Sequence, residues 1–160
     1  MKTLIVLSDT HGSRKGLDSL RPLIAENDYV IHLGDGAADI RAERSAYPEK
    51  VYACAGNCDY ASPLPTEGEL EVERVKILYC HGHTYGVKSG LARLAMEGKK
   101  RGCDVVFHGH THRADITEID GVTLINPGSL RYPTNAGGGY AYVVVNGEKV
   151  TSVLVGEGVL

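Results

Sequence analysis

No stretch of this chain approaches the roughly 18 to 20 apolar residues that cross a bilayer, so a membrane span is not expected. The opening MKTLIVLSDTHG carries one lysine and a short apolar run, but Asp9 and His11 follow where a secretory leader would need a longer apolar core and a small-residue cleavage site. It reads as a strand. A basic block is missing too: 17 Lys and Arg face 20 Asp and Glu, a net charge of −3, which leaves no electrostatic footprint for long nucleic acids. Small anionic partners stay open if cations supply the positive field. The four cysteines, Cys54, Cys58, Cys80 and Cys103, form no CxxC pair. With no sign of secretion, they point to a reduced, cytoplasmic setting and small buried thiols rather than a disulfide framework. Nothing marks a linker or an internal repeat, so residues 1–160 read as a single domain.

What the chain does have is glycine, 20 residues of it, which suits many tight turns between short elements. Thr3 to Leu7, Tyr29 to Leu33 and Val51 to Ala55 are apolar runs ending in polar residues, as buried strands of an α/β sheet are. Between them, Leu17, Leu20, Leu23 and Ile24 share one face of a helix that Pro22 should strain, and Ala38 to Ala46 is a short second helix. Glu69 to Cys80 reads as a hairpin feeding a buried strand, Val87 to Lys100 as a helix stopped at Gly102, and Asp104 to His108 as the next strand. Asp120-Gly121 and Asn146-Gly147 sit between apolar runs as hairpin turns. The order predicts two packed sheets covered by helices, with Asn135 to Gly139 as the most flexible stretch.

Donor-bearing residues fall at the ends of these strands: Asp9 and His11, Asp35, Asn57, His81, and His110 with His112. Side chains from distant positions meet at the carboxyl ends of strands in such sheets. Asp-x-His and His-x-His would each chelate if extended, because residues two apart share a side. Gly12, Gly34, Gly56, Gly82 and Gly109 flank the donors, and oxygen plus imidazole ligands suit a two-ion centre bridged by a carboxylate.

Asp9-Thr-His11, Gly34-Asp35, Gly56-Asn57, His81-Gly-His83 and Gly109-His-Thr-His112 resemble the motifs of the calcineurin-like metallophosphoesterase superfamily. Gly56-Asn-Cys-Asp59 and Asn126-Pro-Gly-Ser129 are similar to its small YfcE-type phosphodiesterases. The resemblance implies a four-layer α-β-β-α sandwich, with Asp9, His11 and His112 on one metal, Asn57, His81 and His110 on the other, and Asp35 bridging. It further implies Mn²⁺, with Fe, Zn, Ni or Mg as variants, and hydrolysis of a small phosphodiester by water activated between the two ions.

Relatives often read Gly-Asn-His where this chain has Cys58. A thiol is a poor replacement for that acid, so either easily displaced leaving groups are favoured or His83 takes part of the role. Asn57 and His83 are the expected substrate contacts. Asp39 breaks the family's GDxxD spacing and is given no role. Asp59 either orients a ligand or caps a helix. His32 is expected to be structural, and His108 to support a ligand or merely pack. Arg113, Ser129 and Arg131 are expected at the surface, and Tyr85, Tyr132 and Tyr140 in packing. A protein-binding scaffold of the retromer Vps29 type is the main rival, although all seven ligand positions hold competent donors here; a phosphomonoesterase or nuclease is the other. Exposed C-terminal strand edges could pair two copies into a homo-oligomer.

Overall fold

The computed structural model describes residues 1–156, so the last four residues of the expected 1–160 domain lie outside it. Its first half alternates strand and helix: β1 (Lys2–Leu7), α1 (Arg14–Glu26), β2 (Tyr29–His32), a 3₁₀ turn (Ala37–Ile40) running into α2 (Arg41–Ala46), and β3 (Val51–Ala53). The hairpin β4 (Glu67–Val72) and β5 (Val75–Cys80) follows, then α3 (Ala92–Lys100), β6 (Val105–Phe107), the hairpin β7 (Asp115–Ile119) and β8 (Val122–Asn126), and the hairpin β9 (Gly139–Asn146) and β10 (Lys149–Gly156). One sheet has the order β10-β9-β1-β2-β3 and the other β4-β5-β6-β8-β7. Within them β1, β2 and β3 run parallel, as do β5, β6 and β8. Glu73, Asp120, Gly121 and Gly147 take the left-handed backbone at the hairpin turns, and the turn expected at Asn146-Gly147 falls on Gly147-Glu148, because Asn146 still pairs with Lys149.

Apolar faces fix the layers. Leu4, Val6, Ile31, Val143 and Val145 of the first sheet meet Val75, Ile77, Phe107 and Ile125 of the second. On the outer side of the first sheet, Ile5, Leu7 and Val30 cover Leu17, Leu20 and Ile24 of α1. On the outer side of the second, Leu78, Val106 and Leu124 cover Leu94 and Ala95 of α3. The result is the expected α-β-β-α sandwich. Each of the Leu, Ile, Val and Phe side chains among these, buried as they are, contributes roughly 1.5 to 3 kcal/mol.

Local chemistry explains where elements stop. In α1 the apolar residues recur at i, i+3 and i+7, and the helix continues through Pro22, whose ring lies on the exposed side. It ends at Asn27, whose backbone N–H and side-chain amide both donate to the Leu23 carbonyl, at 3.0 and 2.8 Å. The helix expected from Val87 begins only at Ala92, because Gly86 and Gly90 both take positive φ, at 62° and 146°, and turn the chain instead. Gly102 (φ 71°) closes α3, as a left-handed C-terminal residue should. In the Asn135 to Gly139 segment, Asn135 accepts from Ala114 N–H at 3.0 Å and donates to Ala114 O at 2.9 Å.

Candidate metal centre

The loops that leave β1, β2, β3, β5 and β6 meet at one end of the sandwich and are tied to one another by their backbones. Asp9 N–H donates to Gly34 O (2.9 Å), His11 N–H to Asp35 O (3.1 Å) and Gly109 N–H to His81 O (2.9 Å). None of Asp9, His11, Asp35, His110 and His112 is extended, contrary to the strand expectation: their φ values are 53°, 40°, 55°, 71° and 60°. Non-glycine residues rarely adopt this region and cluster there at functional sites. A consequence is that His110 and His112 do not chelate together. One ligand atom each of Asp9, His11 and His112 lie within 4.8 Å of one another, and so do those of Asp35, His81 and His110. The Asn57 side chain, exposed on its loop, reaches the second group with Oδ1 at 3.0 Å from His81 Nε2.

Asp9 divides its two oxygens. Oδ2 accepts from Ser8 Oγ (2.5 Å) and His110 N–H (3.1 Å), whereas the buried Oδ1 has no hydrogen-bond partner among the described residues. His112 Nε2 stands 3.1 Å from that oxygen, but off hydrogen-bond alignment. His11 Nε2 is likewise buried and unpartnered, 3.7 Å from Asp9 Oδ1 and 3.8 Å from Asp35 Oδ2. Gly109 permits this crowding, since a Cβ there would collide with Ser8 Oγ and Asp9 Oδ2.

The tautomers follow from the far side of each ring. His81 Nδ1 is 2.7 Å from Leu33 O and His112 Nδ1 is 3.2 Å from Tyr132 O, so each Nδ1 carries the proton and each Nε2 turns its lone pair inward. His81 Nε2 then confronts His110 Nδ1 at 3.2 Å, Asp35 Oδ2 at 3.4 Å and Asp9 Oδ1 at 3.9 Å. So many lone pairs aimed at one space require a cation, either a proton or a metal ion. Oxygen and imidazole donors with orphaned buried atoms among them fit divalent metal ions.

Ionisation agrees with that field. Burial acts to raise the pKa of both carboxyls, yet Asp9 is held below the ordinary carboxylate range by the close approach of His112 and His81, and Asp35 well below it by His81 and the Cys58 N–H. Burial acts to lower His81, but its contact with Asp35 and the charge of Asp9 raise it. His112 is raised by Asp9. His110 is pushed down to about 4 by burial and by the neighbouring His81 and Lys88. Two ionised carboxylates, with a neutral His110 beside them, are thus available as ligands near neutral pH.

His83 opens the short turn after β5, with its ring 5.4 Å from that of His81 and 6.2 Å from that of His110. Burial lowers its pKa, and its Nδ1 is buried without a partner. Cys58 is exposed beside the centre, unlike Cys54, Cys80 and Cys103, which are buried. Partial desolvation among its neighbours and the adjacent Asp35 raise its pKa.

Several residues hold the donors in ways their sequence positions did not reveal. Asp39, given no role above, accepts from Thr10 Oγ1 (2.7 Å) and Gly12 N–H (2.8 Å) and so fastens the Asp9–His11 loop. Asp59 accepts the N–H groups of Asp35 (2.8 Å), Gly36 (3.0 Å), Ala37 (3.2 Å) and Gly56 (2.8 Å), so it orients the Asp35 backbone and also satisfies the N–H groups at the start of the 3₁₀ turn. Ser129 is buried, not at the surface, and donates to Asp9 O at 2.8 Å. Arg131 is exposed but donates to His11 O at 2.6 Å, and the Tyr132 ring lies nearly parallel to that of His112, at 11° and 6.5 Å. His32 is structural: Gly34 N–H donates to its Nδ1 (3.1 Å), leaving Nε2–H to Thr10 Oγ1 (3.0 Å). His108 is buried with both ring nitrogens unpartnered and supports no ligand among the described residues. Tyr85 bonds Glu67 away from the centre, Tyr140 is buried, and Arg113 is exposed.

Comparisons with known proteins agree on the family. The sequence profile described as the calcineurin-like phosphoesterase superfamily domain matches residues 1–149. The chain is 34% identical over 131 residues to the probable metallophosphoesterase YsnB of Bacillus subtilis, covering 81% of this chain and 76% of that one. It is 39% identical over 142 residues to the phosphodiesterase MJ0936 of Methanocaldococcus jannaschii, covering 77% and 81%. The fold resembles the crystal structure of Vps29 complexed with Zn²⁺ from Entamoeba histolytica, with a TM-score of 0.76, 20% identity, and 94% and 89% of the two chains covered.

Proposed function

Because this chain belongs to the calcineurin-like phosphoesterase superfamily, we propose that it hydrolyses small phosphodiesters with two divalent ions, Mn²⁺ foremost. Asp9, His11 and His112 would hold one ion, Asn57, His81 and His110 the other, with Asp35 shared. The observation that carries the reading is the convergence of unsatisfied donors, above all the buried, partnerless Asp9 Oδ1 facing three imidazoles. When bound, such ions supply the chemistry of a lowered water pKa and neutralised phosphoryl charge.

The chain's own residues do the rest. Asp59 and Asp39 keep the ligand loops in one geometry, and the Leu33 and Tyr132 carbonyls keep His81 and His112 in the tautomer that turns Nε2 inward. Asn57 and His83, at the open side, contact the ester, with the neutral imidazole N–H of His83 donating toward the departing oxygen. Cys58 stands where a stronger acid would help, so leaving groups of low pKa are favoured.

A phosphodiesterase is named among the relatives, which supports a diester over a monoester, and the net charge of −3 with no basic block supports a small diester over a long nucleic acid. The reduced cysteines support a cytoplasmic setting. No helix among the described residues is long and apolar enough to cross a membrane. Exposed edges at β10 or β7 would be the surfaces through which two copies pair.

Hydrolysis of bis-p-nitrophenyl phosphate with Mn²⁺, faster than that of the monoester and abolished by chelation and by His110→Ala, is the expected result. Metal-loaded protein inert to every phosphate ester would instead favour the scaffold reading that the Vps29 likeness suggests.

A further inference from the structure

A third donor group at the centre includes sulfur. One ligand atom each of His11, Asp35 and Cys58 lie within 4.8 Å of one another. Cys58 is brought there by its backbone, whose N–H donates to Asp35 Oδ1 at 2.8 Å, and the following Asp59 locks the same turn. The thiol has a 3.6 Å contact from Asn57 Nδ2, lies beside the Asp35 carboxylate, and is exposed to solvent. The buried His11 Nε2 beside it has no partner among the described residues. Donors around one tetrahedral ion, at bond lengths of about 2.0 to 2.3 Å, stand roughly 3.4 to 3.8 Å apart. The trio needs to contract by only about an ångström to reach that spacing.

We propose that Cys58 is a metal-binding residue whose Sγ joins His11 and Asp35 in a sulfur-containing site for a thiophilic divalent ion such as Zn²⁺, Co²⁺ or Cd²⁺. The proposal rests on the reading that His11 and Asp35 hold metal. On binding, the S–H bond breaks, the proton passes to solvent, and the sulfur electron pair forms the metal–sulfur bond; no oxidant or reductant takes part. Soft thiolate favours such ions over Mn²⁺, so Cys58 tilts the metal preference of a centre otherwise built from oxygen and nitrogen.

The test is a titration of the metal-free full-length chain and of Cys58→Ser with Cd²⁺ alone and Co²⁺ alone. Ultraviolet and visible absorption report sulfur ligation, and elemental analysis counts bound metal. Circular dichroism confirms that the substitution at this exposed position leaves the fold intact. A sulfur-to-metal charge-transfer band in the native chain is expected to vanish in Cys58→Ser. The variant should still bind metal, but with Cd²⁺ affinity lower by at least about tenfold, the lower end of what losing even an outer partner costs. Equal binding by both proteins without the band overturns the proposal while leaving the metal centre in place. A band that survives in Cys58→Ser also overturns it, since the sulfur would then belong to another cysteine. If neither protein binds metal, the proposed function and the inference both fall.

Discussion

Asp59 binds the backbone of Asp35: its Oδ2 accepts the Asp35 N–H at 2.8 Å and, at the same distance, that of Gly56. One carboxylate thereby joins the loop of the shared ligand Asp35 to the loop of Asn57. Asp59→Asn keeps the size but replaces one accepting oxygen by a donor that faces N–H groups. Isothermal titration with Mn²⁺ should show a loss of roughly 10- to 100-fold in affinity, as removal of an outer partner does. Unchanged affinity would show that the two loops hold their geometry without it.

Gly109→Ala tests the crowding around Asp9. The added Cβ meets Ser8 Oγ and Asp9 Oδ2, both buried, so a ligand must move or the loop must shift. Destabilisation of about 1 to 3 kcal/mol in urea unfolding is expected, together with weakened metal binding. A variant of native stability and affinity would contradict the close approach.

The His32 imidazole gives the fold a pH dependence of known sign. Burial pushes its pKa down to about 4 from an ordinary 6.5, so the folded state prefers it neutral. Its contribution is full above pH 6.5 and is lost as pH falls toward 4, by on the order of 2 kcal/mol at pH 5. His32→Gln removes the titration. In metal-free protein, the stability difference between native chain and variant should therefore narrow between pH 7 and pH 5. A constant difference would mean that His32 does not titrate in this range.

How much of this was legible in the sequence depends on what kind of contact fixed it. Asp9, His11, Asp35, Asn57, His81, His110 and His112 could be picked out because donor residues next to glycine recur at strand ends. The conformation of those ends could not: strand periodicity stops at Leu7 and Phe107, and the left-handed turns beyond depend on loops from both sheets. The contacts of Asp39, Asp59 and Ser129 could not be read, because each acts on backbone groups mostly far away in the chain, and hydrogen bonds to N–H or C=O leave no mark on the partner's identity. The later start of α3 does have a signal in the sequence: Gly86 just before the expected helix and Gly90 within it.

Cys58→His tests the missing acid. General acid catalysis contributes roughly 10²- to 10⁴-fold where it is well placed. Turnover of diesters with poor leaving groups should therefore rise at least about tenfold, while that of p-nitrophenyl esters changes little. No change with poor leaving groups would show that departure is not limited by proton donation at this position.

Anomalous X-ray diffraction from crystals grown with Mn²⁺ tests most directly whether two ions lie among the seven named residues. Two anomalous peaks are predicted, roughly 3.5 to 4 Å apart as in two-metal hydrolases. Asp35 should lie between them, Asp9, His11 and His112 around one, and Asn57, His81 and His110 around the other. A map with no peak among these residues, or with a single ion bound elsewhere, would contradict the two-ion centre.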